Sequence, residues 1–272
     1  MQDTRKRQIR IEADSFREKC RVGRYGIIDL FSDCERAGYI LMQYPLGVNA
    51  DLGFTLRRDQ DIIIFTNSCS RLSREIFTLA HEIGHAVIHL NGSDSFVDTA
   101  YTLAEKNTDD KEQEANYFAA NLLMPTDEVD RFLDLEVSDF EKKGLSSLDV
   151  ARMMSAFNVS FDTVLNRLES MKRITAYQRV LLGNERNERK VGNLLRSVGG
   201  NSRLNEASHT INLPHEFINY VIYNYNHHVI PEETLDKALS YYQLSREDVS
   251  DLLNSERDSE DNLDSLLEGL KD

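Results

Sequence analysis

The stretch "HEIGH" at His81–His85 places two histidines four residues apart around a glutamate. Four residues is little more than one helical turn, so on a helix both imidazoles leave from the same side. Two imidazole nitrogens so placed can bind one Zn2+, with Zn–N bonds of about 2.0–2.1 Å. Glu82 then falls beside the ion rather than on it, where a carboxylate can take a proton from water. A catalytic Zn2+ normally takes three protein ligands and keeps one position open. His89 lies about 12 Å from His81 along a straight helix, too far to share the ion, and reads as a supporting or surface histidine. The better third ligand is in "EQEANYFAANLLMP". At about 100° per residue, Ala115, Phe118 and Leu122 form an apolar stripe. Glu112, Asn116 and Ala119 flank it, while Glu114, Tyr117 and Asn121 take the far side. Glu112 therefore faces inward, where a carboxylate needs a cation or a hydrogen-bond donor. Asn116, one turn on, is placed to accept from the free N–H of a ligating histidine. The competing reading is a solvated helix face, with Glu112 favoured near a helix start by the dipole.

The chemistry depends on the elements around it. Ile76, Leu79, Ala80, Ile83, Val87 and Leu90 give "REIFTLAHEIGHAVIHL" the apolar stripe of a packed helix, with Ser73 as its cap and Asn91–Gly92 as its stop. Gly84 inside that helix costs about 1 kcal/mol, which implies a close neighbour there. Upstream, residues 8–20 read as a helix with Ile9, Ala13, Phe16 and Cys20 inward. A second helix follows, then strands at Tyr39–Gln43, Gly53–Arg57 and Asp61–Thr66. The last strand runs into the site helix, and an exposed edge on it would pair with an extended substrate. Pro125 ends the Glu112 helix. Tyr101, between the two motifs, reads as a packing or surface tyrosine, or as a donor for a developing oxyanion. Cys69 reads as a small buried cysteine, or as a thiol whose approach to the metal would make activity redox-sensitive.

"SSLDVARMMSAFNVSFDTVLNRLESM" reads as helix–turn–helix, capped by Ser146 or Ser147 and by Ser160. Its second helix offers Arg167 but also Asp162 and Glu169, whereas base readout wants several donors near the helix start. Packing on the catalytic unit is favoured over direct nucleic-acid binding. Near residue 175 the chain turns polar and rich in Gly and Asn, and helical patterns resume at "LPHEFINYVIYNYNHH". The expected fold class is α+β. Residues 1–145 form a catalytic domain with a small sheet, 146–175 a helix–turn–helix segment packed on it, and 176–272 an α-helical accessory domain for sensing or docking.

The formal charge of −14 argues against binding nucleic acid over the whole surface. From Glu247 to Asp272 ten acids face two bases, a pattern expected of a solvated tail. No apolar run reaches membrane-spanning length, and the basic start has no apolar stretch behind it, so neither a membrane span nor a secretory signal is expected. Three cysteines without paired spacing fit a reducing, cytoplasmic setting.

"FTLAHEIGHAVIH" followed by "EQEANYFAANLLMP" resembles the ImmA/IrrE family of zinc metallopeptidases, and "SLDVARMMSAFNVSFDTVLNRL" is similar to the helix–turn–helix that follows in that family. The resemblance covers roughly residues 8–172. It implies a zincin-like fold with Zn2+ on His81, His85 and Glu112, and Glu82 as general base. It also implies a protein substrate: a helix–turn–helix repressor or antitoxin-like protein encoded nearby, within a stress, mobile-element or phage-defence switch. The alternative is a zinc-dependent regulatory or DNA-binding protein that acts on a partner without proteolysis.

Overall fold

A computed structural model describes residues 1–50, 52–58, 60–90, 110–138, 140 and 144–253. Among them the architecture is α+β: three strands in one sheet and an otherwise helical chain. The chain divides into two compact units, residues 1–212 and 213–272.

The first unit opens with α1 (Asp3–Arg17), which buries Ile9, Ala13 and Phe16, while Cys20 follows its end half-buried. Helix α2 (Leu30–Arg36) is capped by Asp29, whose carboxylate accepts from Ser32 N. Strands β1 (Ile40–Tyr44), β2 (Gly53–Arg58) and β3 (Asp61–Asn67) form the sheet in the order β1-β3-β2. β3 pairs parallel with β1 and antiparallel with β2. It is therefore the central strand, and the expectation of an open edge on Asp61–Thr66 is corrected: both its ladders are already used. The outer strands are β1 and β2.

Successive strand residues face opposite sides of a sheet. In the register found, Gly53, Thr55, Ile64, Thr66, Leu41 and Gln43 share one face. Helix α3 (Leu72–Ile88) packs there against β2 and β3. Ser73 is not its cap but a buried residue of its first turn. The N-cap position is Arg71, with no side-chain bond. The first amide is satisfied from elsewhere, since Leu72 N donates to Glu206 O at 2.7 Å. Helix α4 (Asp110–Leu123) packs on α3 and α1. α5 (Thr126–Glu136) follows directly after Pro125.

Helices α6 (Ser147–Phe157) and α7 (Phe161–Ser170) are joined by a turn in which Asn158 takes a left-handed φ of 56°. Ser146 and Ser160 cap them. Val150, Met153, Met154, Phe157, Val164, Leu165 and Leu168 are buried in the same core as Ile9, Leu79 and Phe118. Helices α8 (Ala176–Arg189) and α9 (Val191–Ser197) add Leu182, Leu194 and Leu195 to that core, and Leu204 follows. The shift in composition near 175 is therefore not a break in packing; that break lies between 212 and 213. Residues 206–212 run back along the first unit. Gln43 and Asn212 exchange backbone hydrogen bonds of 2.8 and 2.9 Å, and His209 N donates to Ser68 O.

The second unit contains α10 (His215–Asn226) and α11 (Glu232–Tyr241) around a small core of Val221, Ile222, Tyr225, Leu235, Ala238, Leu239 and Val249. Among the described residues no helix is long and apolar enough to cross a membrane.

Candidate metal centre

Helix α3 is buried on both sides, so the solvated-face reading of HEIGH does not hold: His81, Glu82 and His85 are 6, 3 and 8% exposed. The close neighbour of Gly84 is α4. A Cβ there would meet Ala115 Cα at 3.2 Å and Phe118 Cδ1 at 3.1 Å. That approach brings the first turn of α4 over the histidines.

His81 Nε2 and His85 Nε2 lie 3.0 Å apart. Glu112 places one carboxylate oxygen 3.2 Å from each. The three ligand atoms lie within 4.8 Å of one another, a cluster that can hold a metal ion. Tetrahedral Zn2+ with bonds near 2.0–2.1 Å separates its ligand atoms by about 3.3 Å, close to the spacing here.

Proton placement supports the same fit. Asn116 Oδ1 lies 3.1 Å from His81 Nδ1, and an amide oxygen only accepts, so Nδ1 carries the proton and Nε2 keeps a lone pair. At His85 the proton is set through a second ring. His89 Nε2 lies 3.3 Å from a Glu114 oxygen and donates to it. His89 Nδ1, left as acceptor, is 3.0 Å from His85 Nδ1. His85 Nδ1–H donates there, and its Nε2 also presents a lone pair. Two imidazole lone pairs and a carboxylate thus converge, an N2O set that suits Zn2+.

The electrostatics agree. When protonated, His81 and His85 hold the Glu112 carboxyl far below the usual carboxylate range. Burial disfavours the charged form of His81. The neighbouring Glu112 and Glu82 carboxylates favour that charged form and outweigh it, leaving the His81 pKa raised. The cluster favours positive charge at its centre. Burial, with the neighbouring His85, lowers the pKa of His89.

Glu82 turns away from this cluster toward β2. Thr55 Oγ1 donates to its Oε2 at 2.8 Å and also lies 3.0 Å from its backbone oxygen. Gly53 keeps the space beside Oε1 open, since a Cβ there would sit 2.6 Å from Thr78 Cγ2 and 3.2 Å from Oε1. Burial raises the Glu82 pKa, against the charges of His81 and His85 and the Thr55 bond.

Several residues depart from their sequence reading. Glu114, expected in solvent, is only 15% exposed, covered by Arg5 from α1 and by His89. Asn121, placed on the polar face, is buried and bonds Arg167. Arg167, the one base-reading donor considered on α7, is itself buried and donates to Met124 O and Asn121 Oδ1, each at 2.8 Å. Burial lowers its pKa to about 10. It ties α7 to the α4–α5 junction. Cys69 places its sulfur 3.9 Å from His209 Nδ1. Tyr101 and Asn91–Gly92 lie outside the described residues.

Sequence reasoning missed Thr55 and Glu75. Glu75, buried on α3, accepts from Gln43 Nε2 at 2.8 Å, Thr66 Oγ1 at 3.0 Å and Ser208 Oγ at 2.9 Å. It binds β1, β3 and the 206–212 segment to the site helix. The available signal was a charged residue one turn before Leu79 on the apolar side of the helix.

No curated protein matches the chain. The family model described as peptidase M78, IrrE N-terminal-like domain, matches residues 34–169. That span is half of the 272 residues and contains His81, Glu82, His85 and Glu112. The chain therefore belongs to the peptidase M78 family of metallopeptidases, with the His-His-Glu cluster in its matched region.

Proposed function

We propose that this protein is a zinc-dependent endopeptidase of the cytoplasm that cuts a specific protein partner. The partner would be a helix–turn–helix repressor or antitoxin-like protein encoded nearby, within a stress, mobile-element or phage-defence switch. The observation that carries the catalytic reading is the convergence of His81, His85 and Glu112 with a buried carboxylate, Glu82, held beside them.

His81 and His85 would hold Zn2+ through Nε2, and Glu112 through its carboxylate. When bound, the ion supplies Lewis acidity toward water and toward the carbonyl of the bond to be cut. Glu82 then does the proton work. Its Oε2 is fixed by Thr55, and its Oε1 borders the space that Gly53 leaves open. A carboxylate whose proton affinity is raised by burial is a stronger base toward water. Glu82 accepts the proton of the attacking water and returns it to the departing amide nitrogen. β2 is the outer strand whose Gly53 and Thr55 face Glu82, so an extended substrate is proposed to align along it.

The non-proteolytic alternative, a zinc-dependent regulator that only binds, leaves Glu82 without a role, because a structural zinc site needs no base and closes its fourth position. The proposed docking module narrows to 213–272, where Tyr220 and Tyr223 are exposed. Such residues pair apolar area with a polar handle. The test is co-incubation of the zinc-loaded protein with the product of the neighbouring gene, then mass mapping. Discrete fragments are expected from wild type, and none with chelator or from Glu82→Gln. An intact partner with wild type, or equal cleavage by Glu82→Gln, would count against the reading.

A further inference from the structure

The two ligand histidines are anchored differently. His81 is held directly by Asn116 of α4. His85 is held through three further side chains that end on the first helix. Its Nδ1 meets His89 Nδ1 at 3.0 Å, and His89 Nε2 meets Glu114 Oε2 at 3.3 Å. Both Glu114 oxygens are bound by Arg5, with Nε to Oε1 at 2.8 Å and Nη2 on Oε2. Exposure falls along the chain, from 40% at the Arg5 side chain to 15% at Glu114 and 9% at His89.

We propose that Arg5, Glu114 and His89 are a positioning chain for His85, which makes the N-terminal helix a working part of the metal centre. This rests on the metal reading of His81, His85 and Glu112. His89 is the C-cap residue of α3 and so lies past its last helical turn, at φ −109°. The helix alone does not fix its ring, and Glu114 does. Glu114 must in turn stay ionised and oriented to accept from His89. The Arg5 guanidinium does this with two parallel donors, a geometry a lysine cannot reproduce. A carboxylate behind a ligand histidine sets its ring orientation and strengthens its lone pair. Here the carboxylate acts through an intervening histidine, and its own partner comes from 109 residues earlier in the chain.

The test uses full-length protein and measures zinc affinity by competition with a chromophoric chelator, independently of any cleavage. Glu114→Gln and His89→Phe are expected to weaken zinc binding about 10- to 100-fold. Arg5→Ala should weaken it by a smaller factor, with Arg5→Lys restoring part of the loss. The double variant Arg5→Ala/Glu114→Gln should bind about as well as Glu114→Gln alone, because one chain is broken once. Metal-free melting temperatures should stay near wild type, and Arg152→Ala, at a remote exposed pair, should leave zinc affinity unchanged. Zinc affinities within about twofold of wild type in Glu114→Gln and His89→Phe would overturn the chain while leaving the metal site intact. Fully additive losses, together with lowered metal-free melting, would reduce the three residues to structural supports and also overturn it. A wild type that binds no zinc would remove the metal reading on which the chain depends.

Discussion

At the scale of single residues, the lone pairs and protons of the cluster are sorted. Asn116 and His89 each fix one ring nitrogen, and the opposite nitrogens face Glu112. Glu82 is kept out of that cluster by Thr55. The Thr55 bond stabilises the ionised form of Glu82 and so lowers its pKa. Thr55→Val removes that support, so the Glu82 pKa rises further and more of it is protonated at a given acidic pH. The acid limb of the cleavage profile should move to higher pH, with zinc content unchanged. A limb that stays in place or moves lower would show that Thr55 does not act on the base. That His81, His85 and Glu112 lie together was legible from the HExxH spacing, the inward side of the Glu112 helix and the family resemblance. Thr55 was not, because its role depends on strand register. Glu114 was misread because a helical wheel cannot show that α1 lies over its far face and brings Arg5 to it.

At the scale of elements, the two contacts that matter are α3 on α4 and α3 on the sheet. Gly84 allows the first. In Gly84→Ala the added methyl meets Ala115 and Phe118 near 3.1–3.2 Å. The gain in helix propensity, about 1 kcal/mol, is set against overpacking of roughly 1–3 kcal/mol. The variant should lose stability to urea and bind zinc more weakly, since the element displaced carries Glu112. Unchanged zinc affinity would show that α4 yields without moving its first turn. Glu75 governs the second contact. Glu75→Ala removes the acceptor of two buried donors, Gln43 and Thr66, and of the half-buried Ser208. The expected loss is roughly 2–4 kcal/mol by chemical denaturation, with Glu75→Gln milder. A loss below about 1 kcal/mol would mean the donors find other partners. The three strands were readable, to within a residue, from flanking turn signals and, at Ile62–Phe65, a β-branched apolar run. Their order was not: β3 is central because β1 and β2 both pair with it, and a linear pattern carries no information on neighbours.

At the scale of the whole molecule, a fragment ending at 212 keeps the main core, including Leu182, Leu194, Leu195 and Leu204. It should fold cooperatively and carry zinc. A fragment ending at 175 loses those side chains and the Ser208 bond to Glu75, and should be insoluble or markedly less stable. Equal stability of the two would show that 176–212 is an appendage. The composition change near 175 does not mark this boundary, because the Gly/Asn-rich stretch still contributes buried leucines. The metal centre is tested most directly by the metal content of the purified full-length protein, measured by elemental analysis after zinc loading and dialysis. About one zinc per chain is expected in wild type and in Glu82→Gln, and a large loss in His85→Ala and Glu112→Ala. Wild type without zinc, or full zinc in Glu112→Ala, would contradict the His-His-Glu site.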